Sequence, residues 1–218
     1  LKVISDLYLT ARPGEIIAIA GSSGSGKSLL ASAILGILPD NATVQGHLHY
    51  KGQELTPERQ KTLRGTEIAL VPQSVAYLDP LMKIGPQVDG AGKQPLAEKR
   101  RKLFDRFHLP QQTEQLYPFQ LSGGMARRVL VSTALITDAE LIIADEPTPG
   151  MSLDQALEAL TMFREMADEG KAVILITHDI DLAFEFADRV AVFYAGTTVE
   201  TAPAADFKAG PEALRHPY

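Results

Sequence analysis

The stretch from Gly21 to Ser28 combines glycine, serine and lysine at spacings that can bind the phosphate groups of a nucleotide. An apolar run typical of a buried strand precedes it at residues 16–20. Apolar residues at helical spacing follow it at residues 29–38. A glycine-rich loop between a strand and a helix is the context that a phosphate-binding loop requires.

The chemistry of this loop follows from its residue types. Glycines allow backbone N–H groups to curl around phosphate oxygens, and the N-terminus of the following helix adds a partial positive charge. We predict that Lys27 reaches the β- and γ-phosphates and that the Ser28 hydroxyl binds Mg²⁺. The predicted nucleotide-triphosphate site comprises Gly21, Ser22, Ser23, Gly24, Ser25, Gly26, Lys27, Ser28 and Leu29.

Two adjacent carboxylates, Asp145 and Glu146, follow the apolar run 141–144. A carboxylate at the end of a strand beside the phosphate loop can hold Mg²⁺, so Asp145 is predicted to be a metal ligand. Glu146 is then placed to orient or deprotonate the water that attacks the γ-phosphate. An acidic turn that caps a helix is the alternative for this pair.

Two further polar residues, Gln73 and His178, come directly after buried apolar runs, at the edge where open α/β sheets bind ligands. Gln73 is predicted to contact Mg²⁺ or the attacking water, and His178 to contact the γ-phosphate. The alternatives are an exposed glutamine after Pro72 and a histidine that bonds a backbone carbonyl.

A second phosphate-binding turn, Ser122-Gly123-Gly124, opens a helix that extends to Ile136. One chain needs only one triphosphate pocket. We therefore predict a dimer in which each subunit contributes this turn to the nucleotide of the other.

Apolar runs of strand length alternate with helical patterns along the chain, which predicts an α/β fold with a mostly parallel sheet. Residues 197–201 are expected to pair with residues 190–194 as an antiparallel portion. Residues 74–120 lack strand-like runs and carry several prolines. We predict a nucleotide-binding core at 1–73 and 137–218, with an inserted helical subdomain at 74–136.

Composition limits the possible functions. The 218 residues include no cysteine, which excludes disulfides and thiolate metal sites, and the net charge of −6 argues against nucleic acid as the main partner. The apolar runs are too short to span a membrane. The basic run at residues 98–107 is interpreted as a solvated helix face. His47 and His49 are interpreted as solvated strand residues, because no third metal ligand is near them in sequence.

The order of these motifs resembles the nucleotide-binding domain of ATP-binding cassette (ABC) proteins over essentially the whole chain. The resemblance implies ATP and Mg²⁺ as ligands, and two such domains paired head-to-tail around two ATP molecules. It further implies that Ser28, Gln73 and Asp145 are metal ligands and that Glu146, Gln73 and His178 act in catalysis. Ser122, Gly123 and Gly124 correspond to the signature turn.

Finer features resemble the oligopeptide, dipeptide and nickel importer branch of the family: Leu78-Asp79-Pro80, Ile84-Gly85-Pro86-Gln87, Tyr117-Pro118, Met125 and His216-Pro217-Tyr218. This implies an ATPase subunit at the cytoplasmic face of the membrane, with permease subunits as partners and a solute-binding protein as an indirect partner. One alternative is a soluble ABC ATPase of the carbon–phosphorus lyase accessory type. A nucleotide-binding scaffold with poor hydrolysis is another.

Both ends of the chain and one loop depart from the family pattern. Leu1 is not an initiator methionine, and the chain is expected to be a piece of a longer protein. Tyr8 is too close to the phosphate loop to be assigned the role of stacking on adenine. The family usually reaches Leu-Asp two residues after the Thr148 position, whereas here Leu153-Asp154 comes two residues later. We expect Pro149-Gly150 to loop outward and Asp154 to bond near the phosphate loop of the facing subunit.

Overall fold

The computed structural model describes residues 4–22, 24–90 and 96–209. The predictions for Ser23 and for His216-Pro217-Tyr218 therefore concern residues outside the described part. The strands are β1 (Ile16–Ala20), β2 (His49–Tyr50), β3 (Gln53–Glu54), β4 (Ile68–Val71), β5 (Leu141–Asp145), β6 (Ala172–Thr177), β7 (Arg189–Tyr194) and β8 (Thr197–Pro203). The helices are α1 (Lys27–Leu35), α2 (Pro57–Leu63), α3 (Ile84–Asp89), α4 (Ala97–Arg106), α5 (Gly123–Leu135), α6 (Leu153–Asp168), α7 (Ile180–Phe186) and α8 (Ala204–Ala209).

Six strands form one sheet in the order β4-β5-β6-β1-β7-β8. Neighbouring strands are parallel from β4 to β7, and β8 runs antiparallel to β7. This arrangement confirms the predicted α/β class with a mostly parallel sheet and an antiparallel portion. Because parallel strands end at the same edge, the residues that follow β1, β4, β5 and β6 meet there.

The sheet is covered on both faces, which explains why its central strands are continuous apolar runs. All residues of β1 and β6 are buried. Along β1, Ile16 and Ala18 belong to the apolar cluster formed with α5 and α6, whereas Ile17 and Ile19 belong to the cluster formed with α1. This packing holds the strand ends, and with them the polar residues of the edge, in fixed positions.

The segment 74–136 contains helices and 3-10 turns, and its described residues include no strand. Its buried side chains, such as Ile84 and Phe104, share one apolar cluster with the core strands. The division into a core and a subdomain stays a prediction. The basic run in α4 is paired within the chain: Lys99 with Asp138, Arg100 with Asp89 and Glu114, Lys102 with Glu98, and Arg106 with Glu165 and Glu169.

The helices differ from the sequence interpretation at one boundary and in two further elements. Helix α1 ends at Leu35 rather than near residue 38, because Gly36 adopts a left-handed φ of 65° and the Gln60 side chain donates a hydrogen bond to Ala33 O at 2.7 Å. Helices α2 and α8 were not predicted.

The expected strand at residues 46–52 is reduced to the two residues of β2, which pair with β3 across a turn. The His47 side chain is 79% exposed, as expected for a solvated histidine, but Glu54 Oε1 lies 3.5 Å from its Nδ1. The residues that the structure describes contain no group of three or more His, Cys, Asp or Glu that could hold a metal ion. None of the described helices is both long and apolar enough to cross a bilayer.

Candidate functional site

The phosphate loop lies between β1 and α1, where the sequence predicted it. Gly24 and Gly26 adopt left-handed φ values of 79° and 98°, which side-chain-bearing residues rarely reach. A Cβ on Gly21 would lie 2.1 Å from Phe193 O of β7, so only glycine fits at the end of β1. The loop is thus held against the sheet with its backbone curled, as phosphate binding requires.

Lys27 is 5% exposed and lies inside this loop. Its Nζ donates hydrogen bonds to Gly21 O at 2.8 Å and to Ser22 O at 2.9 Å, and it lies 3.8 Å from Glu146 Oε1. Burial lowers the pKa of Lys27 from its ordinary value, and the carboxylates of Glu146 and Asp145 oppose that shift. The ammonium group therefore lies between the loop backbone and the carboxylate of Glu146. The terminal phosphates of a nucleotide bound in this loop would place negative charge beside it.

Ser28 and Asp145 meet at the start of α1. The Ser28 hydroxyl donates a hydrogen bond to Asp145 Oδ1 at 3.0 Å. Burial raises the pKa of Asp145, and the hydrogen bond from Ser28 acts in the opposite direction. Hydroxyl and carboxylate oxygens are ligands that Mg²⁺ accepts, and this ion commonly completes its coordination with phosphate oxygens and water. The two side chains present thus fit a nucleotide-bound Mg²⁺.

Glu146 and His178 form a direct pair, although the sequence predicted them independently. Glu146 Oε2 lies 2.6 Å from His178 Nδ1. Glu146 is 7% exposed, and its left-handed φ of 47° is unusual for a residue with a side chain. Its N–H donates a hydrogen bond to Ile176 O at 2.9 Å, which ties this strained position to β6. A carboxylate held in this way can accept a proton from an attacking water.

Gln73 lies two residues beyond Val71, whose register partner is Ala144, the residue before Asp145. It therefore lies at the end of the strand beside β5. Gln73 is exposed to solvent. Its backbone carbonyl accepts a hydrogen bond from Arg127 of α5 at 2.9 Å. The sequence interpretation missed Arg127. Helical spacing gives the signal, because Arg127 shares the buried face of α5 with Leu130, Val131 and Ala134.

Ser122 is the N-cap of α5, and its Oγ accepts a hydrogen bond from Met125 N at 3.2 Å. Among the described residues, no hydrogen bond or ion pair joins Ser122, Gly123 or Gly124 to residues 21–28 of the same chain. The prediction that this turn serves the nucleotide of a second subunit therefore stays a prediction.

Comparison with known proteins decides the family of the chain. A family model described as ABC transporter matches residues 4–149. The chain belongs to the ABC transporter family. The roles of the individual site residues within that family stay predictions.

Two relatives illustrate this ABC membership. The oligopeptide transport ATP-binding protein OppD of Salmonella typhimurium is 35% identical, over 100% of this chain and 68% of OppD. A putative peptide import ATP-binding protein of Brucella abortus is 36% identical, over 93% of this chain and 66% of the relative. The chain thus spans about two thirds of the length of these relatives.

Solved ABC structures share the fold. The ATP-binding cassette MJ0796, in a dimeric post-hydrolysis state bound to ADP and Pi, has a TM-score of 0.80 and 25% identity, over 93% of this chain and 90% of the cassette. The cbiO1 protein of Clostridium perfringens has a TM-score of 0.82 and 25% identity, over 96% of this chain and 85% of cbiO1. The chain is an ATP-binding ABC ATPase, as the resemblance implied.

The loop after Glu146 contains a turn at Pro149-Gly150, and the outward displacement predicted for these two residues stays a prediction. Met151 N donates a hydrogen bond to Thr148 O at 3.2 Å, and Gly150 has a φ of 77°. Met151 then packs against the core, and Ser152 caps α6 by accepting a hydrogen bond from Gln155 N.

Asp154 lies in the first turn of α6, within the helix rather than in the loop before it. Counting from Thr148 without an insertion places Met151 and Ser152 at the Leu-Asp positions of the family. The role of Asp154 across a dimer interface stays a prediction.

Proposed function

We propose that this chain is the ATP-hydrolysing subunit of an importer that moves peptides through partner permease subunits. The observation that carries this proposal is the similarity, over the whole chain, to OppD, which is an oligopeptide transport ATP-binding protein. The assembled site of Lys27, Ser28, Asp145, Glu146 and His178 supports hydrolysis as its chemistry. The relatives described above are named for peptides, and peptides rather than nickel chelates are therefore the proposed cargo.

The proposed catalytic unit is a head-to-tail dimer. Lys27 and the loop amides bind the triphosphate of one ATP, and the Ser122–Gly124 turn of the other subunit covers it. Ser28, Asp145 and Gln73 would hold Mg²⁺, which would supply neutralisation of the phosphate charge. Glu146 accepts a proton from the attacking water, and His178 holds the carboxylate of Glu146 in place.

A surface next to Gln73 is suited to contact the permease. Large apolar side chains are exposed directly after Gln73, and a backbone hydrogen bond from Ile84 N to Leu116 O joins this stretch to the segment that carries Phe119. The exposed fractions are 44% for Val75, 72% for Tyr77, 88% for Leu81, 42% for Met82 and 76% for Phe119. We propose that these side chains form one apolar patch, and exposed patches of this kind mark interaction sites. Permease binding here would hold the chain at the cytoplasmic face of the membrane and connect transport to Gln73.

Purification of the native full-length protein with its partners tests the proposal. We expect permease subunits to co-purify, and we expect ATP turnover in proteoliposomes to rise when a peptide-loaded solute-binding protein is added. Co-purification with a soluble enzyme complex instead would support the carbon–phosphorus lyase type of function. Absence of turnover in the assembled complex would support a scaffold and overturn the ATPase-driven importer.

A further inference from the structure

Arg127 is a buried cation in the helix that begins at the Ser122–Gly124 turn. It is 5% exposed, whereas the next residue, Arg128, reaches the surface and forms an ion pair with Glu158 at 2.6 Å. No carboxylate pairs with Arg127 among the residues that the structure describes. Two consecutive arginines of one helix therefore differ: Arg127 is buried without a carboxylate partner among the described residues, whereas the side chain of Arg128 is 24% exposed and has such a partner.

Both partners of the Arg127 guanidinium are backbone carbonyls at the end of β4. Nη1 donates a hydrogen bond to Pro72 O and Nη2 donates one to Gln73 O, each at 2.9 Å. A planar guanidinium holds its donors in a fixed fork, so it sets the directions of two successive carbonyls together. The path of the chain into Gln73 is thereby determined by a residue of α5.

Stability alone does not explain a charge at this position. Burial lowers the pKa of Arg127 from its ordinary value, which means that the charged form is destabilised there. Its Nε has no hydrogen-bond partner in the described part of the chain. Apolar side chains of similar volume often replace buried charges at no cost to stability. What the guanidinium adds is a fixed geometry between two segments.

These two segments are the ones that the proposed function assigns to different nucleotides. Gln73 lies at the sheet edge with Asp145 and Glu146, which serve the ATP of the same chain. The Ser122–Gly124 turn lies within two helical turns of Arg127 and serves the ATP of the other subunit. Helix α5 also packs against β4 and against the 3-10 turn Val75–Tyr77, so the connection is continuous.

We propose that Arg127 is a positioning residue that makes the Gln73 segment and the Ser122–Gly124 turn move as one unit. This inference rests on the proposed ATPase dimer. Binding of ATP at Gln73 in one subunit then places the signature turn against the nucleotide of the other. Loss of Arg127 should lower ATP turnover while MgATP affinity stays nearly the same.

Kinetics of Arg127→Met and Arg127→Lys in the full-length chain test this coupling, with Arg128→Met as the matched control. We expect the MgATP Kd of the monomer to change by less than about threefold in all variants. For Arg127→Met, kcat should fall by about 5- to 150-fold, the usual range for lost coupling between sites. Arg127→Lys should be intermediate, because it keeps the charge but loses the fork. Arg128→Met should keep kcat within about twofold.

Amide hydrogen exchange provides a readout that a purely structural role would not change. In a Glu146→Gln chain diluted until light scattering shows only monomer, MgATP should protect residues 72–78 and 121–128 together. Addition of Arg127→Met should leave protection only at residues 72–78. If Arg127→Met fails to fold, Arg127→Gln, which keeps a side-chain donor, carries the same measurements.

Three results would overturn the proposal. They are an unchanged kcat in Arg127→Met, a parallel loss of kcat and MgATP affinity, or joint protection of both segments without Arg127. If the unmodified chain has no ATP turnover, the proposed function fails, and the exchange experiment still decides the role of Arg127.

Discussion

Two regions of the molecule differ in whether their side chains have partners within one chain. They are the sheet edge that carries the phosphate site and the surface of the segment 74–136. At the edge, polar groups meet partners in the same chain: Ser28 with Asp145, and Glu146 with His178. On the segment, Leu81 is 88% exposed and Phe119 is 76% exposed. The Ser122–Gly124 turn makes no hydrogen bond to the phosphate loop among the described residues.

This difference indicates a division of work. Buried parallel strands hold the edge residues, so the groups that we propose to act on ATP are positioned by the fold of one chain. The segment presents apolar side chains that are exposed in the single chain and that the proposed permease would cover. Variants at the edge should therefore affect ATP chemistry directly, whereas variants on the segment should affect partners and leave the isolated chain unchanged.

Glu146→Gln should have the largest effect. Turnover should fall by about 10² or more, the usual scale for loss of a general base, while ATP binding is retained. ATP-bound dimer should accumulate, which light scattering with MgATP would detect. Glu185→Gln, at an exposed surface carboxylate, is the control. Normal turnover in Glu146→Gln would assign Glu146 to a structural turn.

Lys27→Ala should weaken MgATP binding by about 10- to 150-fold, the scale of losing hydrogen bonds from a charged donor. The physical reason is removal of the buried cation that faces the terminal phosphates. Calorimetric titration measures the affinity, and Lys61→Ala, at an exposed residue of α2, is the matched control. Unchanged binding with an intact fold would contradict the phosphate-loop assignment.

Leu81→Asp should weaken permease binding by at least about tenfold, because it places an unpaired charge in the proposed interface. ATP turnover of the isolated chain should stay the same. Val44→Asp, at a residue that is 52% exposed on another part of the surface, is the control. Equal loss of permease binding in both variants would place the interface elsewhere.

Asp145→Asn should have the smallest effect, on stability without nucleotide or metal. Burial raises the pKa of Asp145 above its ordinary value of 3.8, so the folded chain binds the proton more strongly than the unfolded chain does. The carboxylate therefore costs stability as the pH rises from about 3.8 through the raised folded pKa. Asparagine keeps the acceptor for Ser28 and avoids this cost.

Urea unfolding measures this effect. The stability gain of Asp145→Asn should be larger at pH 7 than at pH 4. An equal gain at both values would show that deprotonation of Asp145 is not its cause.

Much of the site could be predicted because polar residues directly after apolar runs indicate where strands end. Lys27 and Ser28 follow a run that does form β1, and Asp145 ends a run that does form β5. His178 and Gln73 follow the runs that form β6 and β4. Periodicity and glycine spacing are local properties of the sequence. These elements form at the positions that the local pattern predicts.

The sequence by itself determined the alternation of strands and helices, the phosphate loop and the set of residues at the sheet edge. Tertiary structure alone decided that β5 lies beside β6, which brings Glu146 to His178, because strand order depends on long-range packing. It also decided that Arg127 holds the carbonyls of Pro72 and Gln73 while Arg128, which is partly exposed, pairs with Glu158. A side chain's partner depends on which surfaces pack together, and residues separated by 54 or 55 positions in the chain meet only when the whole domain folds.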